Sequence, residues 1–223
     1  MPCPANAPKS MLFIPNHEQE TDLARLEFFF DISSPWTYLA FENIQPLAAE
    51  TGTEISWRPF MVGGLFNTIN PSVYEMRANP VPAKWDYMTK DLADWATWSG
   101  LKIKWQPTVF PVNSVKVMRA CLVAIDNDKL VPFARACFEL YWGEDKDISQ
   151  NDVVAEACQR AGLDPTGVGE AIQQPALKQR LIANSEELIE RGGFGTPTIY
   201  LNKTDMYFGN DRLPLIKAAI EKG

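Results

Sequence analysis

Apolar and polar positions divide the chain into stretches of different period. Leu26-Glu27-Phe28-Phe29-Phe30 is a short aromatic-rich run of strand length, ended by Asp31-Ile32-Ser33-Ser34-Pro35. In that turn Ser34 is a good helix N-cap and Pro35 a good first helical residue. From Pro35 to about Glu50, Tyr38, Leu39, Phe41, Ile44 and Leu47 recur at helical spacing, and Gly52 marks the stop. Thr53 to Phe60 then alternates with the two-residue period of a strand. A strand-helix-strand unit of this kind is parallel and right-handed in nearly all proteins.

After this unit the period changes. Met61 to Pro82 is rich in Gly, Asn and Pro and is predicted to form one long irregular loop, which in a compact domain is usually functional or mobile. Trp85, Met88, Leu92, Trp95 and Trp98 fall at three- and four-residue steps up to Gly100, one apolar helix stripe. Beyond Pro107 and Pro111, helical patterns cover about 113–126, 129–142, 150–161, 165–173 and 175–191. Gly192-Gly193-Phe194-Gly195 ends the last of them, and Pro197 precedes a strand at Thr198-Ile199-Tyr200-Leu201. Asn202 to Asp205 reads as a hairpin turn and Met206-Tyr207-Phe208 as the return strand. Gly209-Asn210-Asp211-Arg212 opens a final helix to Lys222. The order β-α-β, helices, β-β-α predicts an α/β protein of thioredoxin-like fold with an inserted all-helical domain. Its expected parts are an N-terminal arm over 1–25, a thioredoxin-like domain over 26–60 and 193–223, and a helical insertion domain over 61–192.

Composition narrows the function classes. Of 223 residues, 46% are hydrophobic and 22% charged, enough for a substantial core. With 21 Lys+Arg against 28 Asp+Glu the net charge is −7, so no basic field attracts phosphate backbones or anionic lipid, and no nucleic-acid partner is expected. No apolar run nears the roughly 18 residues of a membrane helix, so no membrane partner is expected. The N-terminal residues lack a secretory or transit pattern, so the expected location is cytoplasmic. Cys3, Cys121, Cys137 and Cys158 include no CxxC pair and no zinc-finger spacing, and they read as buried helix thiols. The single histidine, His17, lies in a polar stretch before the first strand, so histidine triads and histidine metal sites are not expected.

In a thioredoxin-like scaffold the reactive group sits at the N-terminus of the first helix, where free amides and the helix dipole stabilise a thiolate. Ser34-Pro35-Trp36-Thr37 occupies that place, with a serine and a threonine where disulfide enzymes carry cysteines. Intrinsic thiol-disulfide exchange there is excluded. Ser34 is either an ordinary helix cap or a hydroxyl donor to a thiolate that a ligand brings. In Gly195-Thr196-Pro197-Thr198, a cis bond before Pro197 would expose the Thr196 backbone to an extended peptide-like ligand. The helix start at Asn210 suits a carboxylate, and Asp211 can pair with an ammonium, although helix capping alone accounts for the same two residues.

Three segments carry a family resemblance. Phe30-Asp31-Ile32-Ser33-Ser34-Pro35-Trp36-Thr37-Tyr38-Leu39, Asn79 with Pro82-Ala83-Lys84-Trp85-Asp86-Tyr87-Met88 and Asp91-Leu92, and Phe194-Gly195-Thr196-Pro197-Thr198 with Phe208-Gly209-Asn210-Asp211-Arg212-Leu213 resemble the 2-hydroxychromene-2-carboxylate isomerases. They resemble the kappa-class glutathione transferases almost as closely. The resemblance covers about residues 26–221 and implies a glutathione cofactor and a homodimer. By it, Ser34 matches the serine facing the glutathione sulfur, and Thr196, before a cis-Pro197, offers its backbone to the cysteinyl part. Asn210 and Asp211 match the pair at the γ-glutamyl end, and Asn79 a loop residue on the tripeptide. Lys84 and Tyr87 fall near the cleft between the domains.

The implied activity is a glutathione-dependent isomerisation of an aromatic-degradation intermediate, 2-hydroxychromene-2-carboxylate to trans-o-hydroxybenzylidenepyruvate. Lys84 would hold the carboxylate of this small aromatic substrate, or is a solvated helix charge, while Trp36, Trp85 and Tyr87 would form apolar walls. Two alternatives stand beside it. One is a kappa-type transferase that leaves glutathione on an electrophile; the other is a non-catalytic glutathione- or peptide-binding thioredoxin relative.

Overall fold

A computed structural model of the protein describes residues 24–223. The arm expected over 1–25 lies outside the described residues except for its last two, as do Cys3 and His17, and Arg25 already opens the first strand. β1 (Arg25–Phe30), α1 (Pro35–Thr51) and β2 (Glu54–Pro59) form the expected parallel unit. Helix α1 begins at the Ser34 cap and ends at Gly52, whose φ of 65° lets its amide close on the Ala48 carbonyl. β3 (Thr198–Leu201) runs antiparallel to β1, and β4 (Asp205–Phe208) antiparallel to β3. The sheet order is β2-β1-β3-β4. Position in that order explains burial: the two central strands are almost wholly buried, whereas edge strands β2 and β4 keep exposed or half-buried residues.

The helices between β2 and β3 are α2 (Val62–Ile69), α3 (Ser72–Ala78), α4 (Pro82–Trp98), α5 (Val115–Asp126), α6 (Leu130–Phe138), α7 (Asn151–Ala161), α8 (Pro165–Ala171) and α9 (Pro175–Glu190). A π-helical turn at Glu139–Gly143 continues α6. The segment from Met61 to Pro82, expected to be irregular, instead folds as α2 and α3, with Asn70 and Asn79 as their C-caps. Gly63 and Gly64 are poor helix formers, but Val62 and Leu65 of the same turn bury against Phe29, Phe60, Leu188 and Tyr200. Tertiary burial overrides local propensity there.

Alternation along β1 splits the core between two faces of the sheet. Leu26, Phe28 and Phe30 join one large cluster that continues through α1 into Met118, Cys121, Phe133, Phe138 and Cys158 of α5, α6 and α7. Phe29 joins the smaller cluster on the other face. Tyr38 of α1 stacks on Phe138 of α6 with ring centroids 4.9 Å apart, so the helical block and the sheet share a core. After β4, a 3-10 turn at Asn210–Arg212 leads into α10 (Leu213–Lys222), which packs on α1. Among the described residues, no helix is long and apolar enough to cross a membrane.

Candidate functional site

The turn between β1 and α1 is fixed from several sides. Asp31 is fully buried; one carboxylate oxygen accepts from the Ser33 amide at 3.0 Å and the other from the Val62 amide at 3.0 Å. Burial pushes this carboxyl above its ordinary range, against the pull of those amides and of the Ser114 hydroxyl. The Ile32 carbonyl accepts from the indole N–H of Trp142 at 2.9 Å. Thus the π-helical turn and the start of α2 both hold the loop that presents Ser34.

Ser34 Oγ accepts from the Thr37 amide at 3.3 Å, the geometry of an N-cap. Its own proton has one long contact, to the Thr196 carbonyl at 3.5 Å. The Thr37 and Thr196 hydroxyls meet at 2.8 Å, and Thr196 Oγ1 also accepts from the Asp31 amide at 3.2 Å. These bonds hold the start of α1 against the segment before β3. The Thr196–Pro197 peptide bond is cis. The Gly209 amide donates to the Pro197 carbonyl at 3.2 Å, which brings the turn before Asn210 beside the proline.

A cavity of about 350 Å³ opens beside this junction, within the range of small-molecule sites. Of the expected site residues, Ser34, Trp36 and Thr196 line it from the junction, and Asn79 and Lys84 line it from the end of α3 and the start of α4. Trp85 forms part of the wall, as expected, with its ring 5.8 Å from that of Trp105. Arg77, Phe66 and Phe110 also line it, and none of these was singled out from the sequence. Arg77 lies in the segment expected to be irregular, where no helical face could be assigned to it. Among the described residues, no Asp or Glu lines the cavity.

Tyr87 does not join this group. The cavity face of α4 follows the helical spacing Val81, Lys84, Trp85, Met88, and Tyr87 falls off that face, 65% exposed. Pro197, Asn210 and Asp211 lie outside the cavity lining as well. The expected helix start at Asn210 is a 3-10 turn, and α10 itself begins at Leu213. Asn210 is only 7% exposed, and its side-chain Nδ2 has no hydrogen-bond partner among the described residues. An orphaned buried donor costs about 1–3 kcal/mol, a cost that an acceptor from a ligand would remove. Asp211 is exposed, 3.5 Å from the Arg212 guanidinium.

Thiol chemistry by the described residues themselves is disfavoured. Cys121, Cys137 and Cys158 are free and buried in α5, α6 and α7. Burial pushes the first two thiols well above their ordinary pKa and Cys158 up to about 11.

Similarity to known proteins agrees with this architecture. The model of the DSBA-like thioredoxin domain matches residues 25–221. The 2-hydroxychromene-2-carboxylate isomerase of Pseudomonas putida is 26% identical over 200 residues, covering 87% of this chain and 93% of that protein. Glutathione s-transferase kappa 2 of Caenorhabditis elegans is 29% identical over 206 residues, 86% of this chain and 89% of its own. A solved structure of a 2-hydroxychromene-2-carboxylate isomerase superposes with a TM-score of 0.76 at 24% identity, over 89% of this chain and 95% of that one, a likeness of fold. With isomerases and kappa-class transferases as relatives and the family model spanning sheet and helices alike, the chain belongs to the DSBA-like thioredoxin domain family.

Proposed function

We propose that the protein is an enzyme, a glutathione-dependent isomerase of a small aromatic carboxylate, with 2-hydroxychromene-2-carboxylate as the specific substrate. The observation that carries this reading is a serine hydroxyl, with its proton weakly engaged, at the N-terminus of α1 and on the wall of an aromatic, acid-free cavity. The name of the isomerase relative supports the reaction class, and that of the transferase relative the cofactor.

The residues present fit glutathione. When bound, glutathione would supply a thiolate nucleophile for reversible addition to a conjugated carbon. Ser34 would donate a hydrogen bond to the sulfur and so keep it ionised, and the free amides of the first turn of α1 would add the positive end of the helix dipole. The Thr196 backbone, before Pro197, pairs with the cysteinyl unit. Asn210 offers its unpartnered Nδ2 to the γ-glutamyl carboxylate, and Asp211 takes the ammonium. Asn79 contacts the tripeptide from the end of α3. Lys84 holds the substrate carboxylate as a point charge, and Trp36 and Trp85 exclude water from the reacting carbons. The reading also includes a homodimer acting in the cytoplasm.

Calorimetry and melting in glutathione test the cofactor. Glutathione at 100 times its dissociation constant is expected to add about 2.7 kcal/mol to native stability, with a desamino analogue adding less. Absence of both binding heat and a melting shift at millimolar glutathione would remove the cofactor from the account. The 29% identity to the kappa-class transferase favours a second reading, in which glutathione stays on the product. Consumption of glutathione in step with turnover identifies that case.

A further inference from the structure

We propose that Arg77 is the carboxylate anchor of the cavity and sets its preference for planar aromatic acids over their neutral analogues. The inference rests on the reading of this cavity as the substrate site and names the residue that selects the substrate.

Three observations carry it. First, Arg77 lines the cavity together with Phe66 and Phe110, and its guanidinium carbon stands 5.8 Å and 5.5 Å from the centroids of those two rings. A guanidinium flanked by aromatic rings is held in orientation while its N–H fork stays open. Second, Arg77 has no carboxylate partner among the described residues, whereas Arg58, Arg135, Arg160 and Arg191 each pair with a glutamate. It remains accessible to solvent, and the packing around it lowers its pKa by desolvation, with two phenols, Tyr74 and Tyr141, as its titratable neighbours among the described residues. Third, among the described residues the lining holds two cations, Arg77 and Lys84, and no acid, in a protein whose net charge is −7. Such a local reversal of sign attracts an anion into a site the rest of the molecule would repel.

The shape of the wall narrows the anion. Trp105 lies 5.2 Å from Phe110 and 5.8 Å from Trp85, ring centroid to ring centroid, so an aromatic surface continues from the guanidinium into the cavity. A flat ring packs on that surface while its carboxylate takes two parallel N–H bonds from Arg77, which the ammonium of Lys84 cannot reproduce.

The test uses 2-hydroxycinnamate and its methyl ester as probes, titrated by calorimetry into the wild-type protein, Arg77→Gln and Arg77→Lys, with glutathione titrated separately into each. Wild type is expected to bind the acid about tenfold or more tightly than the ester, the effect of one charge-assisted pair. Arg77→Gln should lose most of the acid preference and retain only the share that the Lys84 charge supplies, Arg77→Lys should keep more of it, and all three should bind glutathione equally. Melting curves establish that the variants are folded. An unchanged acid preference in folded Arg77→Gln overturns the inference. So does a loss confined to glutathione, which would assign Arg77 to a carboxylate of the tripeptide. If no variant binds glutathione while the acid preference still follows Arg77, the cofactor reading falls and this inference stands.

Discussion

In the proposed function Ser34 performs two tasks with one oxygen. Its lone pair caps α1 through the Thr37 amide, and its proton has no short partner among the described residues, since the Thr196 carbonyl is 3.5 Å away. Ser34→Ala therefore has two separable consequences. Loss of the cap should cost about 1 kcal/mol of stability, measurable by denaturant unfolding. Loss of the donor should raise the thiol pKa of bound glutathione by one to two units, at about 1.5–3 kcal/mol for a hydrogen bond to an anion, measurable by titrating thiolate absorbance. Equal thiol pKa values in wild type and variant, with the stability loss alone, would reduce Ser34 to a cap. At this scale the sequence was legible where a residue obeys a local rule: Ser before Pro at a strand end predicts the cap, and Lys84 and Trp85 share one helical face. Arg77 and the fixing of the loop through Asp31, Val62 and Trp142 were not legible. Each depends on contacts between residues distant in the chain.

Between elements, Glu27 couples the two parallel strands to the end of α9. On β1, with its side chain 10% exposed, it pairs with Arg58 of β2 at 3.4 Å and with Arg191, just beyond α9, at 2.5 Å. Glu187 of α9 also pairs with both arginines, so a single substitution leaves them partly compensated. Glu27→Ala should destabilise by about 2–3 kcal/mol, less than for a buried pair left with no alternative partner. Denaturant unfolding of Glu27→Ala, Glu187→Ala and the double variant reads the coupling; additive losses would mean that the four groups do not act together. The strands and most helices were legible because their periods of two and 3.6 persist over whole elements. α2 and α3 were not, because Gly63, Gly64, Asn70 and Asn79 read locally as loop. What makes α2 a helix is burial of Val62 and Leu65 against the far face of the sheet.

Across the whole molecule, the sheet and helices share one core, and the cavity forms where the β1–α1 turn, the segment before β3 and helices α2 to α4 come together. Its cationic, aromatic lining differs from the acidic character of the chain, a contrast that net charge conceals because −7 is a sum over all residues. The order of elements was enough to foresee the thioredoxin-like fold. The cavity needed the three-dimensional structure, because residues that meet there, such as Ser34 and Thr196, lie as far as 162 positions apart in the chain. The central claim is that this cavity isomerises an aromatic carboxylate with glutathione as a recycled cofactor. Its most direct test is the absorption spectrum of 2-hydroxychromene-2-carboxylate over time with the purified protein, with and without catalytic glutathione, followed by assay of the glutathione remaining. The account predicts conversion to trans-o-hydroxybenzylidenepyruvate only when glutathione is present, and full recovery of glutathione at the end. Conversion at the same rate without glutathione, or one glutathione consumed per turnover, would contradict it.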